Sequence, residues 1–365
     1  VGGGFGMKAQ DYPEYVICAH AARALDRPVR WMADRTESML SDNAGRDLTS
    51  LAEMAFDDNH RILAYRVTTR NNLGAYNSGF GQPIQTELFS KVLMGTYDVQ
   101  AAYMSVKGYF TNTVQVDAYR GAGRPEATFV VERLVDMAAR EMGIDKIDIR
   151  KRNMIPKEAY PYQTPVIVEY DSGDPLGCLE RSEELADVAG FEVRRAESAS
   201  RGKYRGLGIS TYIEACGLAP SRLAGQLGAR GGLYESATVR VHPSGAVTVL
   251  IGTHNHGQGH ETTFAQIVSD RLGVPFEDID IVFGDTDRVQ FGMGTYGSRS
   301  LVVGGAALSQ ASDKVILKGR KIAAHQLEAS LEDIVFEDGT FSVAGTDRKK
   351  SFQEIAGAAY VPFDF

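Results

Sequence analysis

Three of the seven histidines of this chain fall within eleven residues, Thr253-His-Asn-His-Gly-Gln-Gly-His-Glu-Thr-Thr263. One chemistry open to such a cluster is metal ligation by His254, His256 and His260. Against it, His254 and His256 sit one residue apart in a glycine loop, no cysteine joins them, and no carboxylate–histidine helix motif is present. The spacing better fits an anion site. A strand ends at Ile251, a Gly-Gln-Gly turn follows, and a helix starts near Glu261 or Thr262, where unpaired backbone N–H groups favour phosphate. A second segment, Gly284-Asp-Thr-Asp287 with Gly294-Thr-Tyr-Gly-Ser-Arg-Ser300, places the hydroxyls of Thr295, Ser298 and Ser300 among glycines ahead of another helix. Glycine N–H groups and hydroxyls together suit a pyrophosphate or pterin; the alternative is plain helix capping.

Two further segments have the same character. In Asp117-Ala-Tyr-Arg-Gly-Ala-Gly-Arg-Pro-Glu126, Arg120 and Arg124 flank a Gly-Ala-Gly turn. An arginine held there can orient an oxyanion or carbonyl, or the segment is only a helix entry with Pro125 at the first position. Gly2-Gly-Gly-Phe-Gly-Met-Lys8 meets neither the P-loop nor the GxGxxG spacing, so it reads as a turn or as backbone pressed against a ligand.

The elements that must position these loops follow from periodicity. Helical spacing marks 14–25, 127–142 (closed by Gly143), 145–153, 179–189, 262–272 and 301–318. Val29–Met32 reads as a strand, 48–56 and 62–69 as a hairpin around Asp57–His60, 102–109 as a strand, 237–242 and 246–251 as a second hairpin, and 279–283 as a strand. Strands and helices mix without a strict βαβ rhythm, which predicts an α+β fold. Length predicts two domains. Prolines and glycines gather between 156 and 177, so the expected division is 1–155, a connection 156–203, and 204–365.

Composition narrows the function classes. Hydrophobic residues make up 43% and charged residues 24%, which is ordinary for a folded chain. Net charge is −8, from 39 Lys and Arg against 47 Asp and Glu, so neither nucleic acid nor an anionic membrane is an expected partner. Cys18, Cys178 and Cys216 have no disulfide, zinc or iron–sulfur spacing, and a reducing compartment fits best. The longest apolar runs, such as Leu301–Leu308, cannot span a bilayer, and no signal peptide is visible at Val1, so the cytoplasm is the default address. Glycine reaches 39 residues, where average usage of about 7% would give roughly 26, and the excess is clustered in loops.

The motifs GGGFGMK at 2–8, AYRGAGRPEA at 118–127, HGQGHETTFAQI at 256–267 and GDTDRVQFGMGTYGSRS at 284–300 resemble the molybdopterin-binding large subunit of the xanthine oxidase family. Among its members the likeness is to large subunits of aerobic carbon monoxide dehydrogenase-like hydroxylases. It runs through nearly the whole chain, including RKRNMIP at 150–156 and YDSGD at 170–174.

The resemblance implies two incomplete α+β molybdopterin-binding domains and an oxidoreductase. Molybdenum on a pterin, in bacteria usually as the cytosine dinucleotide, hydroxylates a C–H carbon with oxygen from water. Electrons then leave through an iron–sulfur [2Fe–2S] small subunit and an FAD medium subunit, in a dimer of heterotrimers. Arg120 matches the active-site arginine. Gly4, Phe5, Gly6, Gly121 and Ala122 match loops beside the metal. Gly257, Gln258, Gly259, His260, Glu261, Thr262, Thr295, Gly297, Ser298, Arg299 and Ser300 match pterin and pyrophosphate contacts, with no direct side-chain ligand to the metal.

Two departures bear on substrate. Gly121 stands where carbon monoxide dehydrogenases carry a copper-binding cysteine, and Ala9 where purine-oxidising relatives carry a glutamate. Carbon monoxide and purine are therefore disfavoured, and an aldehyde or N-heteroaromatic is expected. The resemblance also places the family's glutamate base, and an early part of the subunit, outside this sequence. Glu126, Glu214 and Glu261 do not match that base. The expectation is a fragment or one part of a split subunit, inert alone and completed by the remainder of the large subunit. The alternative is a cofactor-free or assembly-related domain of the same family.

Overall fold

The computed structural model describes residues 4–166, 168–217, 221, 225 and 233–362. They form two compact units, one of residues 5–215, the other from Cys216 onward with Gly4. The fold is mixed α+β, as expected.

In the first unit, helix α1 (Pro13–Leu25) opens with proline at its first position and buries no residue along its length. Helix α2 (Arg35–Ser41) is closed by a reciprocal cap between Asp34 and Glu37. The expected strand at 29–32 is absent. Trp31 and Met32 are exposed and no strand pairs with them, which local alternation cannot reveal.

Strands β1 (Leu48–Phe56) and β2 (Ile62–Gly74) make the expected hairpin, whose turn is held by Asp57 accepting from the N–H groups of Asn59 and Arg61. Strand β3 (Ala101–Phe110) pairs with β2 in parallel, so the chain crosses over through 75–100, including a π-helical turn Ile84–Leu88. Helix α3 (Arg124–Met142) lays Val130, Val131, Val135 and Ala139 against Ile62, Tyr65 and Val67 of β2 and against Phe89, Leu93 and Tyr97. Helix α4 (Lys146–Asn153) follows, capped by Asp145.

Strands β4 (Tyr162–Gln163) and β5 (Glu169–Tyr170) form a minimal hairpin. The helix expected over 179–189 is instead α5 (Pro175–Leu185), because Asp174 caps it from the Gly177 N–H and Pro175 takes the first position. Helix α6 (Phe191–Ser200) lies outside the expected elements.

The second unit repeats the wiring. Strands β6 (Ala237–Val241) and β7 (Val247–Ile251) form a hairpin, and β8 (Ile279–Val282) lies parallel to β7 after helix α7 (His260–Leu272). A π-helical turn Ser300–Gly304 leads into α8 (Gly305–Gln326), which starts later and runs further than expected. A meander of β9 (Ile334–Glu337), β10 (Thr340–Val343) and β11 (Lys349–Ser351) is followed by α9 (Phe352–Tyr360). Phe264, Val268, Leu308, Ile322, Phe341 and Ile355 join the inner face of β7 in one core. No helix among the described residues is long and apolar enough to cross a membrane.

Candidate functional site

In the first unit the residues at 5–6 and 117–124 converge. The Arg120 N–H donates to Phe5 O (2.9 Å), and its guanidinium lies 5.2 Å from the centre of the Phe5 ring. Arg120 is exposed and Phe5 is half-exposed, so both present side chains outward. Gly121, Ala122 and Gly123 follow with φ of +93°, +37° and +92°. Three consecutive left-handed residues make a sharp reversal, which glycine tolerates freely and Ala122 only under strain. The Gly123 N–H is closed by Glu126 (3.0 Å), so α3 starts at Arg124, one turn before its apolar stripe.

In the second unit the two glycine loops are stitched together. Thr295 Oγ1 accepts from the His254 N–H (3.0 Å), is 2.6 Å from His254 O, and lies 2.8 Å from Ser300 Oγ. Gly252 and Gly292 pack backbone to backbone; a Cβ on Gly252 would collide with Glu235 and with Phe291 O. Asn255 Oδ1 accepts from the Gly257 and Gln258 N–H groups, both at 2.9 Å, and its amide donates to Glu261.

Helix α7 then begins at His260 with no side-chain cap on its first N–H groups. In its first residue His260 Nδ1, and in the loop before it Thr253 Oγ1, are buried without a hydrogen-bond partner. Burial holds the His260 imidazole below its usual pKa, and nearby His254 adds to this while Glu261 opposes it. The rings of His254 and His256 lie 4.9 Å apart, tilted by 33°, and His260 leans on Phe264 instead. Among the described residues no three His, Cys, Asp or Glu side chains gather as a metal site.

Arg299 has a different situation from its neighbours. Its side chain is fully buried and pairs with the equally buried Glu235 (2.7 Å). It also donates to the carbonyls of Gly294 (2.7 Å) and Tyr234 (2.9 Å). Glu235 in turn accepts from the Ser236 N–H (3.0 Å). The guanidinium is thus committed to the frame of the 294–300 loop. Glu235 carries no sequence signal, because its partner is 64 residues away. Asn255 does carry one: an asparagine two residues before a glycine is an Asx-turn pattern.

An uncapped helix start, glycine backbone on both loops, and two orphaned buried polar atoms fit a large phosphate-bearing group. Comparison with known proteins points to the same class of ligand. Models of the molybdopterin cofactor-binding domain match residues 1–154 and 181–363. The chain belongs to the molybdopterin-binding xanthine oxidase family. It is 39% identical to the carbon monoxide dehydrogenase large chain of Hydrogenophaga pseudoflava, covering 99% of this chain and 45% of that one. It is 35% identical to the nicotine 6-hydroxylase large subunit of Paenarthrobacter nicotinovorans, over 98% of this chain and 44% of that one. Among solved structures, quinoline 2-oxidoreductase from Pseudomonas putida 86 superposes with a TM-score of 0.89 at 38% identity, covering 99% of this chain and 46% of that one. The chain therefore spans a little under half the length of these family members.

Proposed function

We propose that this chain is the cofactor-holding part of a molybdenum hydroxylase that oxidises an aldehyde or N-heteroaromatic C–H, with water as the oxygen source. The observation that carries the reading is the uncapped start of α7, with the orphaned His260 Nδ1 in its first residue and the orphaned Thr253 Oγ1 in the loop before it, in a chain of this family. The N–H groups of Gly259 to Thr262, with Gln258, receive the pyrophosphate of a molybdopterin dinucleotide, in the cytosine form. Thr295, Gly297, Ser298 and Ser300 complete that cradle, and Arg299 with Glu235 keeps it in shape. Gly4, Phe5, Gly6, Gly121 and Ala122 offer backbone beside the reacting centre. When bound, the molybdenum–pterin group supplies the two-electron redox chemistry.

Arg120, exposed and braced on Phe5, orients the substrate's carbonyl or ring nitrogen. Gly121 offers no thiolate for copper, which argues against carbon monoxide. Ala9 offers no carboxylate for a purine. Glu126 is engaged as the cap of α3, Glu214 pairs with Arg124 (3.1 Å), and Glu261 accepts from Asn255. That engagement supports a base supplied by sequence outside these residues. In this reading residues 1–155 and 204–365 are parts of two cofactor-binding domains joined by 156–203, and electrons pass to [2Fe–2S] and FAD subunits.

The test is molybdenum per chain, by elemental mass spectrometry on the complex purified from its native host. About one atom per chain is expected for one dinucleotide site. A complex without molybdenum or pterin overturns the reading.

A further inference from the structure

In the turn that carries Arg120, successive carbonyls are held by two arginines. Arg46 donates from Nη2 to Arg120 O, and its Nε lies 3.7 Å from Glu126. Arg124 is almost fully buried and donates from Nη1 to Gly121 O (3.2 Å) and Ala122 O (3.3 Å). Residues distant in sequence hold it from the other side: Nη2 donates to Ala215 O (2.7 Å), and Nε lies at ion-pair distance, 3.1 Å, from Glu214. The pair is consequently a bridge between the Arg120 turn and the segment 207–215.

That segment is itself fastened along its length. Lys146 Nζ donates to Leu207 O (2.5 Å), and Thr211 Oγ1 bonds Glu132 (2.9 Å). Glu214 is the end of a strap fixed to α3 and α4. The turn, by contrast, stands in a left-handed conformation that Ala122 adopts only at a cost.

We infer that Arg124 and Glu214 are positioning residues: the buried guanidinium, oriented by Glu214, holds the Gly121 and Ala122 carbonyls inward and so sets where Arg120 presents its side chain. This rests on the proposed role of Arg120 for its catalytic consequence, though the clamp itself does not. Lysine cannot reproduce the fork, since it offers one charged point where both Nη groups donate in different directions.

The experiment uses Arg124→Lys and Glu214→Ala in the purified complex, with Arg320→Lys as control. Arg320 is a half-buried arginine that likewise holds a backbone carbonyl, Leu331 O (3.0 Å), but it lies in the second unit and bonds neither the turn nor the strap. Glu214 is 30% exposed, so its removal keeps the fold accessible to test. Hydrogen exchange at amides 121–124 should accelerate about tenfold in both variants and stay unchanged in the control. In the loaded enzyme the Mo(V) electron paramagnetic resonance signal should shift. The value of kcat should fall by about tenfold to a hundredfold, with KM and molybdenum content little changed. Unchanged exchange at 121–124 in both variants overturns the clamp. Altered exchange with an unmoved Mo(V) signal and kcat overturns its positioning role. A wild-type complex lacking molybdenum defeats the proposed function instead, and exchange still decides the clamp.

Discussion

Glu235→Gln is the perturbation that reads the second unit most directly. The side chains of Glu235 and Arg299 are both fully buried at 2.7 Å. The glutamine keeps the shape and removes the charge, leaving a buried guanidinium with only neutral acceptors. Breaking one partner of a buried pair costs about 3–5 kcal/mol. Gly294 O and Tyr234 O still accept from Arg299, so the lower end, about 3 kcal/mol, is expected. For a unit of this size that corresponds to a fall in Tm of roughly 6–12 °C. Differential scanning calorimetry measures it, at low and high salt. A pair with no solvent contact is not screened, so the loss should persist in salt. The exposed Lys350–Glu354 pair is the contrast: Lys350→Ala should move Tm little, and that little should fade in salt. A Glu235→Gln protein melting within about 2 °C of the parent, under the ~2–4 °C per kcal/mol of a unit this size, would refute the reasoning.

Three further outcomes follow from the same loops. Gly252→Ala forces a Cβ into Glu235 and Phe291 O and should cost about 1–3 kcal/mol, read as a lower urea midpoint; an unchanged midpoint contradicts the close approach. Asn255→Ala removes the acceptor of the Gly257 and Gln258 N–H groups, so those amides should exchange about fivefold faster, the equivalent of about 1 kcal/mol. His260 should titrate by NMR below the free-imidazole value of about 6.5, and lower still in Glu261→Gln. The unfolded chain then takes up its proton first as pH falls. Stability therefore declines as pH drops below the unfolded value and levels off below the folded one; a midpoint above the free value contradicts the burial.

Elements with strong periodicity are legible in the amino-acid sequence. The two hairpins and helices α3 and α7 stand close to where apolar spacing puts them. Their starts lie two or three residues earlier, at Arg124 and His260, because glycine caps and a first-turn proline extend a helix beyond its apolar stripe. Val29–Met32 fails as a strand because a strand needs a partner, and nothing local reports one. The strands β9 to β11 are three or four residues long, too short for alternation to register. The loops are legible from glycine and hydroxyl clustering. Their supports are not: Arg46 reaches Arg120 across 74 residues, and Glu235 reaches Arg299 across 64.

What places the loops is strand direction. Each unit has a hairpin whose second strand takes a parallel third strand, and parallel neighbours end at the same edge of a sheet. In the second unit β7 ends at Ile251 and β8 at Val282, and the segments leaving those two ends are the glycine loops at 252–259 and 284–300. An antiparallel β8 would send 284–300 from the opposite edge, out of reach of His254. The observed Thr295 bridge to the His254 backbone is therefore a consequence of topology, with glycine only permitting the approach. In the first unit the Arg120 turn likewise follows the end of β3, at Phe110, before the long helix α3. Ligands of open sheets with parallel strands gather at carboxyl ends for this reason. In each half, loops tens of residues apart in sequence gain a shared edge from one parallel pairing.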